Sequence, residues 1–425
     1  MRNKIRKGIK RIRGNKDATV LLTNFGYLSA LQIAGYIFPI ITLPYLARVI
    51  GVDSFGKIAF ASAIIVWFQT IADWGFNFTA TRDVAQNRDD KEKVSEIFSN
   101  VLWARCLLMV VSFILLLIAL FLVPKFRENQ TIILISFLIV PGHIMFPDWF
   151  FQAMERMKYI TILNVLSKLL FTIAVFVFIK EKSDFILQPL FTSLGFLVSG
   201  SIAMYLILGK WKIKLKRPSF SAILNTIKGS TDVFFNNILP NFYNSFSVLL
   251  LGFWGGPVAN GLLDASRRFT SIAHQFMNII SRAFFPFLSR RIDKHDLFVK
   301  INVVIASIGS ILLFLLAPTL IKLFFTPEFH DAILALRITS VSIILIALSR
   351  VYGTNYMIIE GFEKELRNIT FRGTIIGFLI SFPLIYYLNF IGAALTLTIT
   401  QAIMAFTIMH KAVKIKKNKQ QTITL

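Results

Sequence analysis

The sequence predicts an all-α polytopic membrane protein of about twelve transmembrane helices in two six-helix bundles. Three observations carry that expectation. Of 425 residues, 55% are hydrophobic and only 16% charged, with mean hydropathy +0.66 and 43 phenylalanines. A soluble chain runs nearer 25% charged. Apolar stretches recur at membrane-spanning length, about 20 residues for a ~30 Å hydrocarbon core. Between them lie short segments in which Lys and Arg cluster on alternate sides.

The elements follow in order. Residues 1–16 form a basic tail with eight Lys and Arg and no acid, suited to anchoring topology on anionic lipid. The apolar run after it, broken by Pro39 and Pro44, is too long for a cleaved signal peptide. Spans are expected at 18–49, 57–80, 97–123, 131–153, 158–179 and 185–209, making an N-terminal bundle over 17–209. A basic linker, 210–222, separates it from a C-terminal bundle over 223–412. That bundle has spans at 224–252, 257–288, 298–325, 330–358, 366–388 and 390–412, and a basic tail follows at 413–425. A faint internal repeat supports two halves: Asn164 and Lys168 in span 5 match Asn368 and Arg372 in span 11.

Orientation follows from the 46 Lys and Arg. With the N-terminus cytoplasmic, inner segments hold 30 of them and outer loops five, namely Lys125, Arg127, Lys180, Lys182 and Lys322. Both termini are therefore expected inside, in a multi-pass protein of the bacterial inner membrane.

A net charge of +24 would suggest nucleic acid in a soluble chain. Here the basic residues sit between apolar runs, so no nucleic-acid partner is expected. The single cysteine, Cys106, excludes an intramolecular disulfide and a CxxC metal site. No P-loop, HExxH, GxSxG or Rossmann glycine pattern occurs, so no cofactor, metal or catalytic residue is expected. Transport without a P-loop needs a gradient or a downhill process.

The sharpest signal is span 8. Asp264, Arg267, Arg268, Ser271, His274, Gln275, Asn278 and Arg282 fall within an arc of roughly 120° at 100° per residue. An Arg at mid-membrane costs about 2.5–3.5 kcal/mol, so such residues face a watery cavity or a partner. Arg105, Lys168, Arg267, Arg268, Arg337, Arg350 and Arg372 lie inside spans against only Asp73, Asp232 and Asp264. Internal pairing cannot neutralise that surplus, though Lys168 and Arg372 can snorkel and Arg268 can pair with Asp264 at i,i+4. Arginine forks suit a diphosphate. In span 7, Asn237, Asn241 and Asn244 lie within about 60° on a helical wheel, around a backbone break at Pro240. Amides fit sugar hydroxyls, and equally they serve interhelical hydrogen bonds. Span 2 repeats Gln69, Asp73, Asn77 and Thr81 every fourth residue. The substrate-binding candidates are thus Arg267, Arg268, Arg282, Lys168, Arg372, Arg350, Arg105, Asn237, Asn241 and Asn244. The ion-coupling candidates are Asp73, Asp232 and Asp264.

GYIFPIITLPYLARVIGVDSFGKIAFA, DWGFNFTATRDVAQNRDD, PDWFFQAMERMKY and NILPNFYNSFSVLLLGFWGGPVANGLLDAS resemble successive segments of Wzx-type O-antigen flippases. The similarity runs over nearly the whole chain, is most specific in the first 160 residues and loosens after 300. Where that family has an alanine-acid-lysine style segment, this chain reads Ala265-Ser266-Arg267-Arg268. The resemblance implies the multidrug/oligosaccharidyl-lipid/polysaccharide (MOP) exporter superfamily, a MATE-like fold with two bundles around a central cavity. It implies alternating access that carries undecaprenyl-diphosphate-linked O-antigen or related polysaccharide repeat units from the cytoplasmic to the periplasmic leaflet. Membrane lipids and the O-antigen polymerase machinery are the further partners it implies. The alternatives are a MATE-like exporter of another amphiphile and a membrane-embedded glycan polymerase or ligase. A cationic drug would want acids in the cavity, and a polymerase would want a large outer loop.

Overall fold

The computed structural model describes residues 16–424, which are helical almost throughout and contain no strand. Of the expected basic tail over 1–16, all but Lys16 lies outside the described residues. The helices used below are α1 (Lys16–Asp73), α2 (Phe76–Gln86), α3 (Lys91–Leu122), α4 (Gln130–Phe137), α5 (Ile139–Met145), α6 (Asp148–Ala153) and α7 (Met157–Phe178). After them come α8 (Leu187–Met204), α9 (Phe220–Gly229), α10 (Thr231–Ile238), α11 (Ser245–Trp254) and α12 (Gly256–Arg290). The last four are α13 (His295–Phe324), α14 (Ala332–Ser340), α15 (Ser342–Leu348) and α16 (Glu363–Thr424).

Eight helical segments among the described residues are long and apolar enough to cross a membrane. Two of them are double. α1 bends at Gly51 (φ 71°, ψ 175°), a conformation open to glycine and costly for other residues. α16 breaks at Asn389 (φ 54°, ψ −132°). The two remaining expected spans fall outside those eight for different reasons. Span 8 is the single 35-residue helix α12, too polar along one face to register as an apolar segment. Span 7, expected as one helix over 224–252, is instead α9, α10, the 3₁₀ turn Leu239–Phe242 and α11. Pro240 lacks the N–H that would continue the α-helical ladder. Earlier in the span, Gly229 is the last residue of α9, and α10 begins at Thr231.

Contacts divide the chain into two units, one of residues up to Leu46 with Ile65–Ile238, the other of Ala47–Ile64 with the chain from Leu239 onward. α9 and α10 therefore pack within the first unit.

The first unit centres on rings. Phe98, Trp149, Phe150 and Phe151 are almost wholly buried, and Phe151 meets Tyr159 and Trp211 at centroid separations of 5.6 and 5.5 Å. The PDWFF segment is thus core, placed by its aromatic area. The segment 210–222 packs against α3. Ser95 and Ser99, one turn apart on α3, accept the backbone N–H groups of Lys214 (3.1 Å) and Lys216 (2.9 Å). Trp103 donates its indole N–H to the Lys216 carbonyl at 3.2 Å. Glu92 pairs with both lysines, and its hydrogen bond holds the exposed Lys216 ammonium above its usual range.

In the second unit, the Ala47–Ile64 stretch crosses the start of α12 backbone to backbone. A Cβ on Gly56 would stand 1.6 Å from the Pro257 carbonyl oxygen, and one on Gly261 would stand 2.4 Å from that of Val52. Small residues are how helices approach this closely without a bulky interlayer. The core beside this crossing includes Leu251, Leu263, Met357 and Ala393.

Candidate functional site

The polar face of α12 organises the second unit. Arg268 forks onto Asp264 through Nε (3.1 Å) and Nη2 (2.9 Å), and its guanidinium lies 5.2 Å from the Phe55 ring centroid. This i,i+4 pair and its aromatic partner complete each other. Arg267, one residue earlier, is half-buried and, among the described residues, hydrogen-bonds a backbone carbonyl, that of Asn244, at 3.5 Å. The acid within its electrostatic reach is Asp264, already engaged by Arg268.

Further cations gather on the same side of the unit. The buried Tyr243 hydroxyl lies in the fields of both Arg267 and Arg350, and so does His274. Arg350 in turn lies in the field of Arg282. Gln401 donates to the Tyr243 hydroxyl at 3.3 Å, while His274 Nε2 meets Ser342 Oγ at 2.8 Å. Arg350 is exposed within the apolar segment Ala332–Ile358, and Arg282 is exposed on the polar face of α12. A cation in hydrocarbon costs about 2.5–3.5 kcal/mol, so the surface these two expose is a wetted one.

Arg350 owes its position to a change of helix type. Ser349–Ile358 is π-helical, continuing directly from α15. Such widened turns frequently occur at functional sites. The stretch is pinned by Asn355, which accepts from Ser281 Oγ (2.6 Å) and donates to the Ser281 carbonyl (2.9 Å). Both residues are fully buried, so this reciprocal pair ties the π-helical stretch to α12. Nothing in the one-dimensional pattern marks the π-helix. Its nearest hint is the polar run SRVYGTNY inside an otherwise apolar span.

The first unit holds a different arrangement. Arg105 on α3 is buried and ion-paired with Asp73 at the end of α1. Its Nε and Nη1 are also buried, with no hydrogen-bond partner. His143 and Asp148 share the same electrostatic neighbourhood, each within reach of Arg105 and Asp73. His143 stacks on Phe196 at 4.3 Å, and Asp148 accepts the Trp149 N–H at 2.8 Å. The sequence singles out neither as a site residue: His143 lies within the expected span 131–153, and Asp148 is marked only as part of the PDWFFQAMERMKY segment.

The other candidates are dispersed. Lys168 is half-buried in the first unit, its Nζ against the backbone at Gly35. Asn164 spends its amide on the Ile160 carbonyl of its own helix. Arg372 and Asp232 are exposed, on α16 and α10. Asn237, Asn241 and Asn244 are half-buried, but the 3₁₀ turn Leu239–Phe242 runs through them, so they do not lie along one continuous α-helical face. Arg337, another intramembrane cation, lies 5.2 Å over Phe314. Among the described residues no cluster of His, Cys, Asp and Glu has the make-up of a metal site.

An all-helical chain with several spans and buried or exposed cations defines a multi-pass membrane protein, and it is similar in fold to transporters. It superimposes on an inward-facing multidrug resistance MATE family transporter of the MOP superfamily with a TM-score of 0.65, covering 90% of this chain and 96% of that one at 17% identity. On lipid II flippase MurJ in an inward closed conformation the TM-score is 0.69, covering 91% and 87% at 13% identity. The fold is that of the MOP superfamily. Residues 21–292 match the polysaccharide biosynthesis protein family, and the chain belongs to it. It is 30% identical over 398 residues to a protein described as an O-antigen transporter in Escherichia coli (strain K12), covering 92% of this chain and 96% of that protein. A similarly described protein of Shigella dysenteriae is 27% identical over 391 residues, covering 90% and 97%.

Proposed function

We propose that this protein is a flippase. It carries undecaprenyl-diphosphate-linked O-antigen, or a related polysaccharide repeat unit, from the cytoplasmic to the periplasmic leaflet of the bacterial inner membrane by alternating access. Both termini lie in the cytoplasm in this reading, as the excess of basic residues in the inner segments requires.

The observation that carries it is the group Arg267, Arg282 and Arg350, set within helices that otherwise suit a membrane, with the nearby Asp264 committed to Arg268. A diphosphate brings the missing negative charge and oxygens that accept bidentate bonds from guanidinium groups. Tyr243 and Gln401, hydrogen-bonded to each other, and the Asn241 and Asn244 amides are the proposed hydroxyl-binding groups. Arg268, and more peripherally Arg372, are further contacts of the same unit in this proposal, whereas Arg105 is taken up by Asp73. Asp73, Asp232 and Asp264 are the acids proposed to exchange a coupling ion. A lipophilic cation would be repelled by the arginine group, which disfavours export of cationic drugs.

Loss of the protein should leave single repeat units on the carrier lipid while polymeric surface glycan disappears. Radiolabelled sugar tracing in a deletion strain reads both pools. Surface chains of normal length and amount, in a strain with no redundant exporter, would overturn the assignment. Indifference of vesicle transport to collapse of both proton and sodium gradients would remove the three acids from coupling.

A further inference from the structure

The second unit contains a separate cavity of about 300 Å³, lined by His295, Asp296, Tyr352, Tyr356, Lys416 and Lys417. It forms where the start of α13, the π-helical stretch and the far end of α16 meet. α16 reaches this point because it continues past its apolar stretch: Ala412 and Ile415 sit in the unit's core, so the basic segment stays helical and packed. Lys414 is left exposed on the outer side of the same turns, while Lys417 is exposed at the cavity edge.

The chemistry of the lining is unbalanced in two ways. Asp296 is ion-paired with Lys416, and Lys300 also lies in its field, so Lys417 is a surplus cation. His295 is 1% exposed, and its Nε2 stands 3.1 Å from the Val351 carbonyl. A carbonyl accepts only, so Nε2 carries the hydrogen and Nδ1 is left as an acceptor. That Nδ1 is buried and unpartnered. A buried acceptor without a donor costs about 1–3 kcal/mol. The rings of Tyr352 and Tyr356 stand 5.8 and 4.9 Å from the imidazole, adding two phenol groups.

A ligand that completes this set needs an anionic group for Lys417 and the phenols, and a hydroxyl to donate to His295. It also needs an apolar part. Ile399, Phe406 and Val413 are exposed at seven-residue intervals on α16, a stripe that runs to the cavity edge at Val413. We propose that the cavity binds the head group of an anionic glycerophospholipid with a hydroxylated head, of the phosphatidylglycerol type. The phosphodiester sits at Lys417 and the tyrosines, the head-group hydroxyl at His295, and an acyl chain lies along the α16 stripe. Basic pockets at the ends of transmembrane helices take lipid head groups in this way. Because Tyr352 and Tyr356 share the π-helical stretch with Arg350, an occupied cavity would also brace that stretch.

The test uses purified full-length protein in detergent, with unfolding temperature as the readout and short-chain phosphatidylglycerol as the probe. Phosphatidylcholine of the same chain length, sn-glycerol 3-phosphate and inorganic phosphate are the comparators. Phosphatidylglycerol should raise the unfolding temperature by several degrees, and phosphatidylcholine should not. Lys417→Gln, exposed and free to fold, should raise the phosphatidylglycerol concentration needed for half the shift about tenfold. The double change Tyr352→Phe/Tyr356→Phe should reduce the shift by half or more. An equal shift with phosphatidylcholine would overturn the charge requirement. A full shift from glycerol phosphate or phosphate alone would make this a soluble-anion site and overturn the lipid assignment. An unchanged titration in Lys417→Gln would overturn the site itself.

Discussion

The two units handle intramembrane arginine in opposite ways. In the first, buried Arg105 is surrounded by acids: Asp73 pairs with it directly, and Asp148 shares its field. In the second, Arg267, Arg282 and Arg350 lie close enough to feel shared neighbours, while Asp264 is held by Arg268. A buried cation with its own carboxylate is satisfied by the fold. A group of cations without one is satisfied only by something that arrives. The first arrangement reads as structure, the second as a binding surface for an anion.

The sharpest way to break that contrast is to remove the acid from the first unit. Asp73→Asn leaves Arg105 buried and unpaired, which costs about 3 kcal/mol, the lower end for a broken buried pair because Asp73 is partly exposed. Thermal unfolding in detergent should show a fall of several degrees. Adding Arg105→Gln should recover part of it. A stable, fully folded Asp73→Asn protein would instead mark Asp73 as an acid that spends time neutral, in keeping with its proposed ion-coupling role and against a structural one.

The second unit should respond in the reverse sense. Arg267→Ala or Arg350→Ala removes a cation that repels its neighbours, so the unfolding temperature should hold or rise. Transport should nevertheless fall tenfold or more, the worth of one charge-assisted hydrogen bond of about 1.5–3 kcal/mol. Arg267→Lys should rescue only in part, because an ammonium cannot fork onto two phosphate oxygens. Loss of folded protein in both alanine variants would place these arginines with Arg105 as structural groups.

The smallest effects sharpen the comparison at its edges. Arg372 and Asp232 are exposed. Arg372→Ala and Asp232→Ala should each change stability by no more than about 0.5 kcal/mol. Transport should stay within about threefold of the parent for Arg372→Ala, and should fall further for Asp232→Ala, as its proposed coupling role requires. A loss from Arg372→Ala as large as that from Arg267→Ala would extend the anion-binding surface along α16.

Much of this protein was legible in one dimension, and the reason is the solvent. Hydrocarbon cannot hydrogen-bond a backbone, so long apolar runs must be helices, and each ionisable residue inside one stands out against its cost. The all-helical class, the interruption of span 7 around Pro240, the polar face of α12 and its Asp264–Arg268 pair all follow from residues along a single span, whereas the bend at Gly51 and the break at Asn389 carry no proline. What spacing does not encode is which helices meet. That Asp73 reaches Arg105 across 32 residues, or Ser281 reaches Asn355 across 74, depends on packing. So does the grouping of Ala47–Ile64 with the second unit, which rests on two glycines that let backbones touch. The π-helical turn that presents Arg350 is likewise a tertiary product, since its widened ladder is held by a side chain from another helix. Sequence identified which residues lipid would not tolerate alone; only the packed structure decided which of them already had partners.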